Sequence, residues 1–309
     1  MSTTLLLIQF LNGLQLGVLL FLIAAGLTVV FGVMGFINLA HGVQYMVGAY
    51  LAVWFYGLTG HFGAALVLAL LAALAVALFL EFAVFRYLYD RDHLDQVLAT
   101  FGVILFLNQA VKVIWGPIPL VIAPPEALSG TFPLTANLNY DIWRIAIIVI
   151  GLMVAALLWV LVTRTRIGML VRAGASNAEM VGALGVNIRR LFMVVFGFGA
   201  MLAGFAGAIS APIYSVEPGM GDGLLITAFV VIVIGGIGSI QGAFVAAIIV
   251  GLVDTLGRST ITDILKLFLD ASAANQIGPA LASMAIYILM AAVLFFRPEG
   301  LFPAQSRRA

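Results

Sequence analysis

Leu5-Leu6-Leu7-Ile8-Gln9-Phe10-Leu11-Asn12-Gly13-Leu14-Gln15-Leu16-Gly17-Val18-Leu19-Leu20-Phe21-Leu22-Ile23-Ala24-Ala25-Gly26-Leu27-Thr28-Val29-Val30-Phe31-Gly32-Val33-Met34 contains no charged residue and outruns the width of a bilayer. A hydrocarbon core of about 30 Å is crossed by about 20 helical residues. The stretch therefore predicts a membrane-spanning helix. Its end, Gly32-Val33-Met34-Gly35-Phe36-Ile37-Asn38-Leu39-Ala40-His41-Gly42, breaks the apolar run with glycine, asparagine and histidine. Non-helical backbone in lipid is tolerated only where protein or a water-filled cavity covers it.

Seven further apolar stretches follow: Val43–Tyr56, Phe62–Phe85, Val97–Trp115, Trp143–Val162, Leu191–Ala211, Leu224–Leu256 and Ile277–Phe296. The expected fold is all-α, a polytopic membrane protein of about eight transmembrane helices that includes broken or re-entrant segments. Val43–Tyr56 is short for a crossing, and Leu224–Leu256 is long and interrupted by Gly235-Gly236-Ile237-Gly238-Ser239. Composition agrees: 64% of the 309 residues are hydrophobic and 9% charged, against about a quarter charged in soluble domains. No soluble stretch approaches the roughly 50 residues of an independent domain. The absence of cysteine excludes disulfides and thiolate sites, and a net charge of +1 implies no nucleic-acid partner. Met1-Ser2-Thr3-Thr4 lacks the basic region of a cleaved signal, so the first stretch reads as a retained span.

Arginine in short loops marks the cytoplasmic side. Residues 163–190 hold Arg164, Arg166, Arg172, Arg189 and Arg190, whereas 116–141 hold no Lys or Arg and five prolines. The first loop, residues 86–93 and the tail with Arg297, Arg307 and Arg308 are expected inside, and 116–141 outside. Eight simple crossings then conflict with a cytoplasmic C-terminus. Either Leu224–Leu256 passes twice, or one stretch is re-entrant.

Two glycine-interrupted segments, one in each half, are a pointer to a transport pathway, because unwound backbone offers polar groups to a substrate. The candidates for its lining are Asn38, His41, Gly42 and Gln44 in the first segment and Gly236, Ser239 and Gln241 in the second. Close packing of helices through small residues explains the same glycines equally well, and a lone histidine such as His41 also serves as a hydrogen-bonded packing residue. The spans are otherwise nearly bare of ionisable groups. Glu81, Lys112 and Asp254 fall near span ends, as interfacial residues do. Ion-coupled pumps place such groups within their spans, so the coupling energy is expected from elsewhere. No metal-ligand spacing and no nucleophile backed by a base is present, and Gly235-Gly236-Ile237-Gly238 lacks the Lys-Ser/Thr of a phosphate loop.

In the arginine-rich loop, Ser176 with Glu179 three positions on forms a capping-box pattern, and Met180, Ala183 and Leu184 then share one helical face. Such a helix suits a groove on a cytoplasmic partner, and it suits a plain surface loop as well.

Three groups of residues resemble the LivH-type permeases of branched-chain amino acid ABC importers. They are Gly26–Gly32 leading into Ile37–Gly42 and Gly48-Ala49-Tyr50; Arg172-Ala173 through Leu184-Gly185; and Gly235–Gly242 with Arg297–Phe302. The resemblance implies one transmembrane permease domain over residues 1–309 in a bacterial inner (plasma) membrane, with 163–190 as its coupling loop. Arg172, Ala173, Ser176, Asn177, Glu179, Met180, Ala183, Leu184 and Gly185 would meet the ATPase. The implied partners are two cytoplasmic ABC ATPase subunits carrying ATP and Mg, a second, homologous LivM-like permease, and an external solute-binding protein. This chain would hold no cofactor or metal and would itself be no enzyme. The implied cargo is leucine, isoleucine and valine; related permeases carry urea, short amides or small carboxylates. An ATP-independent channel or facilitator is the alternative of a different class.

Overall fold

The computed structural model describes residues 3–135 and 138–302. Met1, Ser2 and the tail with Arg307 and Arg308 lie outside the described residues. Ten α-helices are present among the described residues: α1 (Thr3–Met34), α2 (His41–Thr59), α3 (Phe62–Ala83), α4 (His93–Trp115), α5 (Ile142–Arg164), α6 (Arg166–Ala183), α7 (Ile188–Ser210), α8 (Asp222–Gly235), α9 (Ile240–Leu265) and α10 (Ala271–Phe296). The proline-rich segment between α4 and α5 folds as an antiparallel hairpin of β1 (Thr131–Thr135) and β2 (Leu138–Asp141). Seven helices are long and apolar enough to cross a membrane, and α2 and α8 are the two irregular ones.

Contacts sort the bundle into two ends. At the hairpin end, Asn12 accepts from Tyr140 Oη at 2.9 Å, Phe62 meets Trp143 edge to face, and Trp115 stacks between Tyr50 and Trp54. Most of these aromatics, Tyr50, Phe62, Tyr140 and Trp143 among them, are buried and pack the hairpin against the helix ends. At the other end, Phe36 packs on Phe85 and Tyr89, and Tyr89 on Phe192. This second end carries Arg86, Arg91, Arg164, Arg166, Arg172, Arg189, Arg190 and Arg297, against Lys112, Arg144, Arg258 and Lys266 towards the hairpin end. We call it the arginine-rich end.

The long stretch Leu224–Leu256 passes twice, as α8 and α9, which resolves the parity. α9 runs antiparallel to α1, with Gly13 against Leu252 and Gly32 against Gly238. The turn between α8 and α9 therefore sits at the arginine-rich end, where the backbone N–H groups of Leu301 and Phe302 donate to Ile234 and Gly235. With α6 lying between two spans, nine helices run end to end or part of the way, and Thr3 and Phe302 lie at opposite ends.

Candidate functional site

α2 does not begin at the end of the bundle. His41 Nε2 lies 3.0 Å from the carbonyl of Ile23, and Ile23 is eleven residues before the end of α1 at Met34, about 16 Å along the axis at 1.5 Å per residue. Residues 35–40 thus climb back into the bundle before the helix starts. Gln96 holds this climb at its foot: its Oε1 accepts from Ile37 N at 3.1 Å, and its Nε2 donates to the carbonyls of Leu88 and Arg91.

α8 also starts inside the bundle. α7 ends at Ser210, and Pro212 and Pro218 lack the N–H groups that a continuing helix needs. Val216 pairs with Leu120 at the hairpin end, and the chain then descends until Gly221 meets Gly42 backbone to backbone. Asn108 Nδ2 reaches Asp222 at 3.5 Å, and Asn108 lies seven residues short of Trp115 on α4, about 10 Å in from that end. Neither helix start has a side-chain cap: Ala40 precedes α2 and Gly221 precedes α8. Two uncapped helix N-termini, each a source of free N–H groups and partial positive charge, therefore meet within the membrane-embedded region.

Asn38, His41, Gly42 and Gln44 are all buried at this junction. Both polar atoms of Asn38, both of Gln44, and His41 Nδ1 have no hydrogen-bond partner. Gln44 sits beside the His41 ring, without a bond of good geometry to it, and lines a small cavity with Val47, Ala73, Leu107 and Ala200.

Gly236, Ser239 and Gln241 are not brought to this junction. They lie in the turn at the arginine-rich end, where each of the first two has a local task. Gly236 adopts φ +102°, and a Cβ there would lie 2.7 Å from the carbonyl oxygen of Phe302, so only glycine lets the segment after α10 dock. Ser239 caps α9 through Gly242 N at 3.0 Å, and Gln241 is exposed. The three-dimensional counterpart of residues 35–42 is residues 211–221, which precede α8, not the glycine run that follows it.

The arginine-rich loop carries α6, kinked at Asn177 into two pieces. The capping-box reading is corrected by one residue: Asn177, not Ser176, takes the extended cap conformation and accepts from Met180 N at 2.8 Å. Glu179 consequently falls one place short of the reciprocal position. Arg172, Ser176, Asn177, Glu179, Met180, Ala183, Leu184 and Gly185 are exposed and Ala173 half-buried. Val186 N donates to Val181 O and Gly185 N to Gly182 O, a Schellman stop with Gly185 at φ +91°. Gly174 faces Leu191 and Val33, which seats α6 against α7 and the end of α1.

The charges near span ends are structural among themselves. Glu81 is paired with Arg86 at 3.0 Å and receives Tyr89 Oη, and Asp254 is held bidentately by Arg258. Burial, reinforced by the Glu81 carboxylate, pushes the Tyr89 phenol up. Among the described residues no group of three or more His, Asp or Glu is placed to hold a metal. Sequence reading missed Gln96, Asn108 and Asp222. Each is a single polar residue whose role depends on which segment lies across from it, and no spacing announces that.

Residues 9–294 match the family described as the permease component of the branched-chain amino acid transport system. The chain is 31% identical over 307 residues to the high-affinity branched-chain amino acid transport system permease protein BraD of Pseudomonas aeruginosa, spanning 95% of this chain and 94% of that one. It is 30% identical over 265 residues to LivH of Escherichia coli, spanning 81% and 85%. The ribose import permease protein RbsC of Escherichia coli is 26% identical over 251 residues, spanning 75% and 72%. No solved structure matches the chain.

Proposed function

Since this chain belongs to the family of permease components of branched-chain amino acid transport systems, we propose that it is the membrane-spanning permease of an ATP-driven importer for leucine, isoleucine and valine. The observation that carries this reading is the match along nearly the whole chain, residues 9–294. The partners are two cytoplasmic ABC ATPases, which bind ATP and Mg, a second homologous permease, and an external solute-binding protein. The arginine-rich end faces the cytoplasm of a bacterial inner membrane, in keeping with the positive-inside rule, and the C-terminus lies on that side.

The pathway passes the junction of α2 and α8. Burying the unpartnered Asn38, His41 and Gln44 groups costs about 1–3 kcal/mol each, and a polar cargo offsets that cost when the junction opens. The uncapped start of α2, with no acid in its first turn, suits the carboxylate of an amino acid, as helix N-termini suit anions generally. Gly236, Ser239 and Gln241, at the cytoplasmic end, border the exit. α6 meets the ATPase with the exposed face of Met180, Ala183 and Leu184. Its seat on α7 and α1 passes ATPase closure to the foot of the climb before α2, through Phe192, Tyr89 and Phe36.

The test is extraction in mild detergent, identification of the co-purifying chains, and uptake by the reconstituted assembly. Two P-loop ATPases and a similar permease, with ATP-dependent uptake of leucine in the presence of the binding protein, are expected. A chain that emerges alone and passes leucine without ATP would refute the reading.

A further inference from the structure

The segment after α10 makes a tight turn and comes back onto α8. Gly300 N donates to Arg297 O at 2.9 Å, which puts Pro298 and Gly300 at the second and fourth places of the turn, the places that favour proline and glycine. The turn aims Leu301 and Phe302 at the C-terminus of α8, and the last carbonyls of a helix have no partner within it. Leu301 N donates to Ile234 O at 2.8 Å and Phe302 N to Gly235 O at 3.0 Å. Two glycines let the backbones meet. A Cβ at Gly300, φ +85°, would lie 2.5 Å from Gly236 N, and one at Gly236 would lie 3.1 Å from Glu299 O. The Leu301 side chain packs against the core, while that of Phe302 is exposed.

The opposite side of the α8–α9 turn is held by α1. Gly238 N donates to Oγ1 of the fully buried Thr28 at 3.1 Å, and a Cβ at Gly32 would lie 2.7 Å from Gly238 Cα. Gly235 and Gly242 meet backbone to backbone, so α8 and α9 are closely joined there. Val33, next to Gly32, is where Gly174 of α6 is seated. The end of α1 thus touches both the helix proposed to meet the ATPase and the α8–α9 turn. From that turn α8 runs back 14 residues, about 20 Å at 1.5 Å per residue, to its start against Gly42.

We infer that Arg297–Phe302 is a latch: it clamps the α8–α9 turn onto α1, so that a shift of α1 at the arginine-rich end is passed along α8 to the α2–α8 junction. Thr28, Gly238 and Gly300 are positioning residues, acting through α8 and not on cargo. Coupling between distant sites is carried by packed groups, hydrogen bonds and rigid elements, and this path is made of all three. Without the latch the two terminal carbonyls of α8 lose their donors, and the turn is free to part from α1. The path runs beside that through Phe192, Tyr89 and Phe36, which ends on α2, so the two together reach both helix starts. The inference rests on the importer reading above.

The experiment measures leucine imported per ATP hydrolysed by the assembled importer in proteoliposomes, beside its thermal stability. Gly300→Ala unseats the latch through its Cβ, and Thr28→Val, of nearly the same shape, removes the acceptor of Gly238 N. Each should lower the ratio about tenfold, a size typical of coupling between sites, with ATP hydrolysis and melting temperature near wild type. Phe302→Ala keeps both N–H donors and should keep the wild-type ratio. A ratio within about twofold of wild type in either Gly300→Ala or Thr28→Val overturns the latch. That includes the case in which uptake, hydrolysis and stability fall together, the mark of a merely structural strap. A wild-type assembly that imports no leucine with ATP overturns the importer reading, and this inference with it.

Discussion

Gly42→Ala tests the α2–α8 junction with a single methyl group. A Cβ built at Gly42 lies 2.5 Å from the carbonyl oxygen of Gly221 and 2.8 Å from Leu225 Cβ, whereas carbon contacts settle at about 3.5–4.0 Å. One neighbour is backbone and the other is the first atom of a side chain, so neither rotates away. The two helix starts must separate by about 1 Å to restore that spacing. Overpacking of this kind costs about 1–3 kcal/mol, and alanine in place of helical glycine returns up to about 1 kcal/mol. At about 2–4 °C per kcal/mol for a large domain, the melting temperature should fall by only a few degrees. Uptake should fall much further, at least tenfold, because the displaced atoms are those at which the pathway opens. Gly57→Ala and Gly102→Ala are the controls: a Cβ at either meets nothing within 4 Å, so both should be neutral or slightly stabilising with normal uptake. The assay is leucine uptake in proteoliposomes beside thermal unfolding in detergent. Gly42→Ala with wild-type uptake would refute the placement of the pathway at this contact.

Three further outcomes are expected. Arg86→Met strands Glu81, whose side chain is 3% exposed, with only the Tyr89 hydroxyl; because Arg86 is itself a third exposed, the loss should fall at the lower end for a broken buried pair, about 2–3 kcal/mol. Adding Glu81→Gln should recover most of it, and equal melting temperatures for the single and double variants would show that the stranded carboxylate carries no cost. Ala183→Arg, on the exposed face of α6, should leave the spans folded and the assembly intact while ATP hydrolysis no longer drives uptake; coupled uptake at the wild-type rate would count against α6 as the ATPase contact. Tyr140 is buried, which pushes its phenol up to about 12, from an ordinary value near 10. A raised pKa stabilises fully below the unfolded value and is lost as pH rises through the folded one. Unfolding of the wild type should therefore accelerate between about pH 10 and 12 more steeply than that of Tyr140→Phe, and equal slopes would dismiss the buried phenol.

Much of the fold was legible because lipid imposes one rule, that backbone polar groups be satisfied within each segment. All eight apolar stretches carry helix, and the glycine run at 235–239 marked where the long one divides. The residues of α6 alone favoured a plain surface helix over a docking one, because an exposed Met180, Ala183 and Leu184 face is common to both and surface helices are the commoner. The capping error was local: Ser176 and Asn177 are both good caps, and only backbone geometry decides which one leaves the helix. Glu81, Lys112 and Asp254 were placed near span ends from residue counts alone, and for Glu81 and Asp254 the ion pairs fit that placement.

Depth was what residue counting failed to supply. Pairing residues 32–42 with 235–242 treated two interruptions as equivalent because both are rich in glycine, yet one climbs from the arginine-rich end to the middle of the bundle and the other turns at that end. The true counterpart, 211–221, reads as an ordinary loop: it contains Pro212 and Pro218, and the apolar run was taken to begin only at Leu224. Starting the stretch at Leu224 leaves Asp222 outside it, and the spans then look bare of charge. Asn108 sets its depth, since a partner seven residues inside the end of α4 cannot touch a residue at the membrane surface. Once that depth is known, the spans are no longer bare, and Asp222, in the first turn of α8, is the charge that residue counting left out.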